Sequence, residues 1–158
     1  MLKSDKILLR PLQLSDLDFL FEIENNKENW KFGSEKVSFT KDDLRSYIRN
    51  ATEDISVSKQ FRYVIDLENI PIGFIDLFDY RTNSAGVGVI IAKNYRRRGF
   101  AKEVLKLLMD YATNTLKIEK LHCNIQEDNF ASIKLFTSCG FELDENKEET
   151  NYYVLQNE

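Results

Sequence analysis

The chain is predicted to fold as a mixed α/β sheet sandwiched by helices, and three observations predict it. Segments of helical period alternate along the chain with segments of strand period. The run AGVGVIIA is apolar almost throughout, as in a strand covered on both faces. The helical segments are apolar on one side only, as expected of helices that lie on a sheet.

KILLRPL reads as a first strand closed by Pro11, which has no N–H to give a ladder. A helix follows with Ser15 as its cap, Asp16 and Asp18 in the first turn, and Leu17, Leu20, Phe21 and Ile23 as its apolar stripe. Lys27 to Phe39 has no period. TKDDLRSYIRNA resumes one, with Thr40 as cap and Leu44, Tyr47, Ile48 and Ala51 on one face. KQFRYVIDL and IGFIDLFDY, joined by the turn residues ENIP, read as a β-hairpin. After AGVGVIIA comes a helix with Ala101, Val104, Leu105, Leu108 and Ala112 on one face. IEKLHCNI is then a strand, and DNFASIKLFTSCG a helix with Asp128 or Asn129 as cap and Gly140 as terminator; GFEL and NYYVLQ close the fold. The predicted order is one strand, two helices, three strands, helix, strand, helix, two strands. The crossovers through YRRRGFAKEVL and NFASIKLF should be right-handed where they join parallel neighbours.

A length of 158 residues suits a single domain over 1–158, burying about 70% of its unfolded surface. The formal net charge of -4 argues against a general affinity for nucleic acid or an anionic membrane, so any anion site must be local. The opening MLKSDKILLRPLQLSD lacks the apolar run of a signal peptide, and no apolar stretch of about 18 residues occurs, so a soluble, cytoplasmic protein with no membrane partner is expected. Cys123, Cys139 and the single His122 have neither the number nor the spacing for a metal centre.

One local anion site stands out. Arg96, Arg97 and Arg98 run into Gly99 at the start of a helix. Cations are unwelcome at a helix N-terminus, whereas the unsatisfied first-turn N–H groups attract an anion. Strand, basic glycine loop and helix together make a phosphate-binding unit, with arginines suited to phosphate oxygens. The loop has neither the Walker pattern nor G-x-G-x-x-G. Its bland reading is a solvated basic turn.

YRRRGFA resembles the [RQ]-x-x-G-x-[GA] pyrophosphate loop of the GNAT superfamily of acyl-CoA N-acyltransferases, with Arg96, Gly99 and Ala101 at the pattern positions. LHCNIQEDNFASIKLFTSCGFE is similar to that superfamily's second motif. LLRPLQLSDLDFLFEIENN is similar to its ribosomal-protein N-terminal and spermidine acetyltransferase branch. The resemblance covers essentially the whole chain. It implies a mixed, mostly antiparallel central sheet with a splayed parallel pair, flanked by about four helices.

It also implies acetyl-CoA as cofactor. The loop amides of Arg97, Arg98, Gly99, Phe100 and Ala101 would grip the pyrophosphate, with Arg96 beside them. Val89, Ile90 and Ile91 would pair with the pantetheine arm as an added strand. Asn129, Ser132 and Phe136 are the implied cofactor contacts on the next helix. The implied activity is transfer of an acetyl group to a primary amine (a polyamine, another small amine or a protein N-terminus) by direct attack in a ternary complex. Many relatives dimerise, so a homodimer is an implied state.

Two positions depart from the family. Gly86 lies near where many relatives place a glutamate base, and Phe136 stands at the position of a tyrosine acid. Asp76 and Asp79 are therefore base candidates, each with a bland reading as a solvated strand carboxylate. Glu24 and Trp30 are candidate acceptor contacts, Trp30 with Phe32 having an equal reading as aromatic core. His122 and Cys123 read as core or sheet surface, and Cys139 as packing. The departures keep a second hypothesis in view, an acyl-CoA-binding module without catalysis. A nucleic-acid-binding reading fits poorly with the net charge.

Overall fold

The computed structural model describes residues 2–26, 38–51, 54–146 and 150–156. The elements are β1 (Leu2–Lys3), β2 (Ile7–Pro11), α1 (Leu17–Asn25), α2 (Lys41–Asn50), α3 (Ile55–Ser58), β3 (Phe61–Leu67), β4 (Ile70–Phe78), β5 (Ser84–Ile91), α4 (Phe100–Asn114), β6 (Lys120–Gln126), α5 (Phe130–Ser138), β7 (Glu142–Asn146) and β8 (Thr150–Gln156). The strands form one sheet in the order β1-β2-β3-β4-β5-β6-β8-β7. Every pairing is antiparallel except β5 with β6.

The two faces of the sheet carry separate cores. On one, Ile65, Ile75, Leu77, Ala85 and Val87 meet Val104, Leu105, Leu108 and Ala112 of α4 and Phe136 of α5. On the other, Val64 and Phe74 meet Leu20 and Ile23 of α1 and Leu44 and Ile48 of α2. The apolar faces read from the sequence are thus the buried ones. Full burial of each such Leu or Ile contributes about 1.5–3 kcal/mol.

Local chemistry sets the helix ends. Thr40 caps α2 reciprocally: its hydroxyl accepts from Asp43 N–H at 3.1 Å and the Asp43 carboxylate accepts from Thr40 N–H at 3.2 Å. Ser15 is not the cap of α1. It lies in a 3-10 turn, Leu14–Asp16, and the carboxylate that accepts from Gln13 N–H at 2.8 Å belongs to Asp16. Asp16 is held there by Arg10, whose guanidinium makes two 2.8 Å bonds to it and a third to Asp66. That cluster fastens the start of α1 to β2 and the end of β3.

The short β1 and the one-turn α3 escape the sequence reading because two to four residues display no period. The last crossover also does not join neighbours: β8 lies between β6 and β7. The strand predicted at GFEL begins at Glu142, after Gly140 at φ 101° has turned the chain and buried Phe141. β7 is exposed along its whole length, as an edge strand with no alternation to read.

Candidate active site

The parallel pair determines where a ligand can enter. β5 and β6 pair only from Ser84 opposite Lys120 to Gly86 opposite His122. Beyond that point β5 stays on β4 as far as Ile91 opposite Gly73, and β6 stays on β8 as far as Gln126 opposite Thr150. The strands therefore part into a wedge. Among the described residues the edge of β5 through Val89, Ile90 and Ile91 has no β-partner on that side, and an extended chain of amides can add to such an edge.

The wide end of the wedge leads to the arginine loop. A 3-10 turn, Lys93–Tyr95, follows β5, and Arg96 folds back so that its Nε donates to the Ile91 carbonyl at 2.8 Å. Arg97 and Gly99 adopt left-handed φ values of 63° and 84°. Gly99 is the N-cap of α4 and provides no side-chain cap, leaving the amides of Phe100 and Ala101 available in the first turn. A Cβ at Gly99 would meet no atom of the described residues within 4 Å, so among them the space beside these amides is open. Arg97 is exposed, and Arg98 stacks its guanidinium over the Tyr95 and Phe100 rings at 5.6 and 5.1 Å. The first-turn amides of α4 and the exposed Arg97 border this open space at the end of the β5 edge, an arrangement with room for a pyrophosphate.

Asn129 caps α5, its side-chain oxygen accepting from Ser132 N–H at 3.3 Å. Ser132 is half-buried behind it. Phe136 lies in the core, edge-on to Phe141 with ring centroids 5.0 Å apart. Its ring brings no proton to the wedge.

The two carboxylate candidates have separate environments. Asp76 is gripped by Arg62, whose Nε and Nη2 donate to its two oxygens at 2.9 Å. Arg62 also donates through Nη1 to Glu24 of α1. Burial pushes the Asp76 carboxyl above the usual carboxylate range, against the pull of Arg62. Glu24, Arg62 and Asp76 form one network that ties α1 to β3 and β4, with the guanidinium over the rings of Tyr47 and Phe74. A carboxylate engaged on both oxygens is poorly placed to take a substrate proton.

Asp79 sits in the turn after β4 at φ 46° and pairs with Arg81 at 3.3 Å. It lines a depression of about 440 Å³ with Arg81, Lys120, His122, Glu145 and Tyr152. Trp30 and Phe32 lie outside the described residues. Among the described residues no group of three or more His, Cys, Asp or Glu side chains is arranged to hold a metal ion, and no helix is long and apolar enough to cross a membrane.

The sequence reading missed Arg62, the hub of the carboxylate network, and gave His122 no chemical role. Alternation in KLHCNIQ does place His122 and Asn124 opposite the buried Leu121 and Cys123. That His122 faces Gly86 at the vertex of the wedge is a fact of register, which a single strand does not display.

Residues 6–142 match the family model described as the acetyltransferase (GNAT) domain. The chain belongs to the GNAT acetyltransferases. Among its GNAT relatives is spermidine N(1)-acetyltransferase of Vibrio cholerae, 26% identical over 141 residues that cover 87% of this chain and 80% of that protein. The enzyme of the same name from Escherichia coli K12 is 24% identical over 140 residues, covering 87% and 74%. The solved structure of the Vibrio cholerae spermidine N-acetyltransferase in complex with CoA and spermine superposes at a TM-score of 0.86, with 21% identity, over 98% of this chain and 97% of that one. The GNAT fold expected from the sequence, a mostly antiparallel sheet with a splayed parallel pair, is the one observed.

Proposed function

We propose that this GNAT acetyltransferase moves an acetyl group from acetyl-CoA to a primary amine of a polyamine, by direct attack within a ternary complex. The observation that carries the reading is the continuity of the wedge with the Gly99 cradle. A phosphate-bearing ligand anchored on the loop amides would run its extended arm along Val89, Ile90 and Ile91 and end near the vertex at Gly86 and His122. The bound coenzyme would supply the activated acyl thioester. The acceptor class rests on relatives named for spermidine and on a structural neighbour whose complex contains CoA and spermine.

A protein acceptor is the second reading. It is favoured by the alpha/beta-tubulin-N-acetyltransferase 9 of Drosophila melanogaster, 29% identical over 141 residues that cover 84% of this chain and 64% of that protein. Release of free thiol from acetyl-CoA, followed with spermidine, spermine, a monoamine and a peptide amine, separates the readings. The polyamines should give the highest kcat/KM. Turnover with the peptide alone would move the assignment to a protein substrate, and coenzyme binding without any turnover would favour a binding module. Self-association belongs to the same proposal, since a Vibrio cholerae spermidine N-acetyltransferase is known as a dodecamer; sedimentation of this chain measures it.

A further inference from the structure

Resting on the amine-acetyltransferase reading above, we propose that His122 is a catalytic residue: its imidazole accepts the proton that the acceptor ammonium must lose at the vertex of the wedge. Three observations meet at this side chain. His122 opposes Gly86 in the last pair before β5 and β6 separate, so it stands at the level where the opening begins. It is half-buried, and it lines the depression of about 440 Å³ together with Ser84 and Lys120 of the paired stretch and Asn124 beyond it. Its Nδ1 is buried without a hydrogen-bond partner among the described residues. Leaving a buried ring nitrogen unpaired disfavours the fold, and such a group calls for an explanation beyond packing.

The ring is held by apolar and aromatic neighbours. Phe78 of β4 stands edge-on to it, centroids 6.2 Å apart, and Tyr152 of β8 lies tilted at 5.6 Å. The charged and titratable groups around the depression come from four elements: Asp79 and Arg81 in the turn after β4, Lys120 on β6, Glu145 on β7 and the Tyr152 hydroxyl on β8. Burial lowers the imidazole from its ordinary value, Asp79 raises it, and Lys120 and Arg81 lower it. Near neutral pH the ring is therefore uncharged, with a lone pair to offer.

An alkylamine with a pKa of about 10 is neutral in only about one molecule in a thousand at pH 7. A base at the point of attack lets the abundant ammonium form bind and lose its proton in place. The ammonium passes one proton to His122. The neutral nitrogen then attacks the thioester carbonyl carbon, the C–N bond forming as the C–S bond breaks. The nitrogen's surplus proton departs with the sulfur as thiol, and His122 returns its own proton to solvent in the depression.

His122 is the chain's only histidine, so its imidazole resonances need no assignment by mutation. In the wild-type protein with CoA, they should titrate with a midpoint below about 6.5 and move when spermidine is added. His122→Gln should lower kcat by about 10²–10⁴-fold, remove the acidic limb of the pH–rate profile and leave CoA binding unchanged. If the wild type acetylates amines while His122→Gln retains its rate and profile, or while spermidine leaves the imidazole resonances in place, His122 is not the base. Should the variant fail to fold, the wild-type titration decides alone. If the wild type transfers acetyl to no amine, the underlying reading fails and the proposal falls with it.

Discussion

The Phe78 ring occupies the volume into which a side chain at Gly86 would project: a Cβ there would lie 2.3, 2.5 and 2.8 Å from three of its ring carbons. The same ring stands edge-on to His122. Gly86→Ala should therefore push Phe78 off the imidazole. Because a ring end can swing, the expected loss is about 1 kcal/mol, the low end for overpacking. Gly73→Ala should cost more, about 3 kcal/mol, since its Cβ would meet the Ile90 carbonyl oxygen at 2.2 Å and backbone cannot rotate away. Denaturant midpoints for the two variants check the order; equal losses would contradict it.

Arg10 is the only side chain seen bonding both Asp16 and Asp66, which are 2% and 8% exposed, among the described residues. Arg10→Ala leaves two buried carboxylates without their cation and should destabilise by about 3–5 kcal/mol. A loss below about 1 kcal/mol in urea unfolding would mean that water replaces the guanidinium at little cost.

Asp76 is expected to act in the architecture of the site. Asp76→Asn removes the charge that Arg62 clasps and should lower stability by about 1–3 kcal/mol while leaving the limbs of the pH–rate profile where they are. A displaced basic or acidic limb would return Asp76 to the chemistry.

Gly99→Asp places negative charge on the open side of the loop amides. The left-handed φ makes any Cβ cost about 1–2 kcal/mol, and no neighbour clashes, so the protein should fold. In the wild type, CoA at about 100 times its Kd should stabilise by about 2.7 kcal/mol, a rise of about 5–10 °C in Tm for a domain of this size. The variant should show no rise. A shift of wild-type size would remove the loop from the binding site.

His122 also links stability to pH. Its folded-state pKa lies below the unfolded value, so the unfolded chain binds more protons between the two and stability rises with pH across that window. Lowering the pH below about 6.5 should therefore reduce the unfolding free energy of the wild type more than that of His122→Gln. Parallel pH dependences would show that the ring titrates as it does in the unfolded chain.

How much of this was legible in the sequence depended on range. The apolar stripes of α1, α2 and α4 are local periods, and each predicted the buried face. The conformation of the loop was legible because Arg96 to Gly99 are contiguous and a glycine before an apolar period marks a helix start; Gly99 is the N-cap of α4. The network of Glu24, Arg62 and Asp76 was not, because its partners are 14 and 38 residues apart in the chain. The opposition of Gly86 and His122 was hidden for the same reason: it follows from the register of a parallel pair joined through α4. Ser15 was read as a cap because a serine before an apolar run usually is one. The buried ion pair of Arg10 with Asp16 overrode that local preference.

The most direct test of the account is the initial rate of thiol release from acetyl-CoA with spermidine as acceptor, compared with a no-amine control. Saturable, amine-dependent release is expected, with mass spectrometry of the product showing a single added acetyl group on spermidine. Binding of CoA with no release above the control, for spermidine or any other amine offered, would contradict the assignment of this wedge as an acetyl-transfer site.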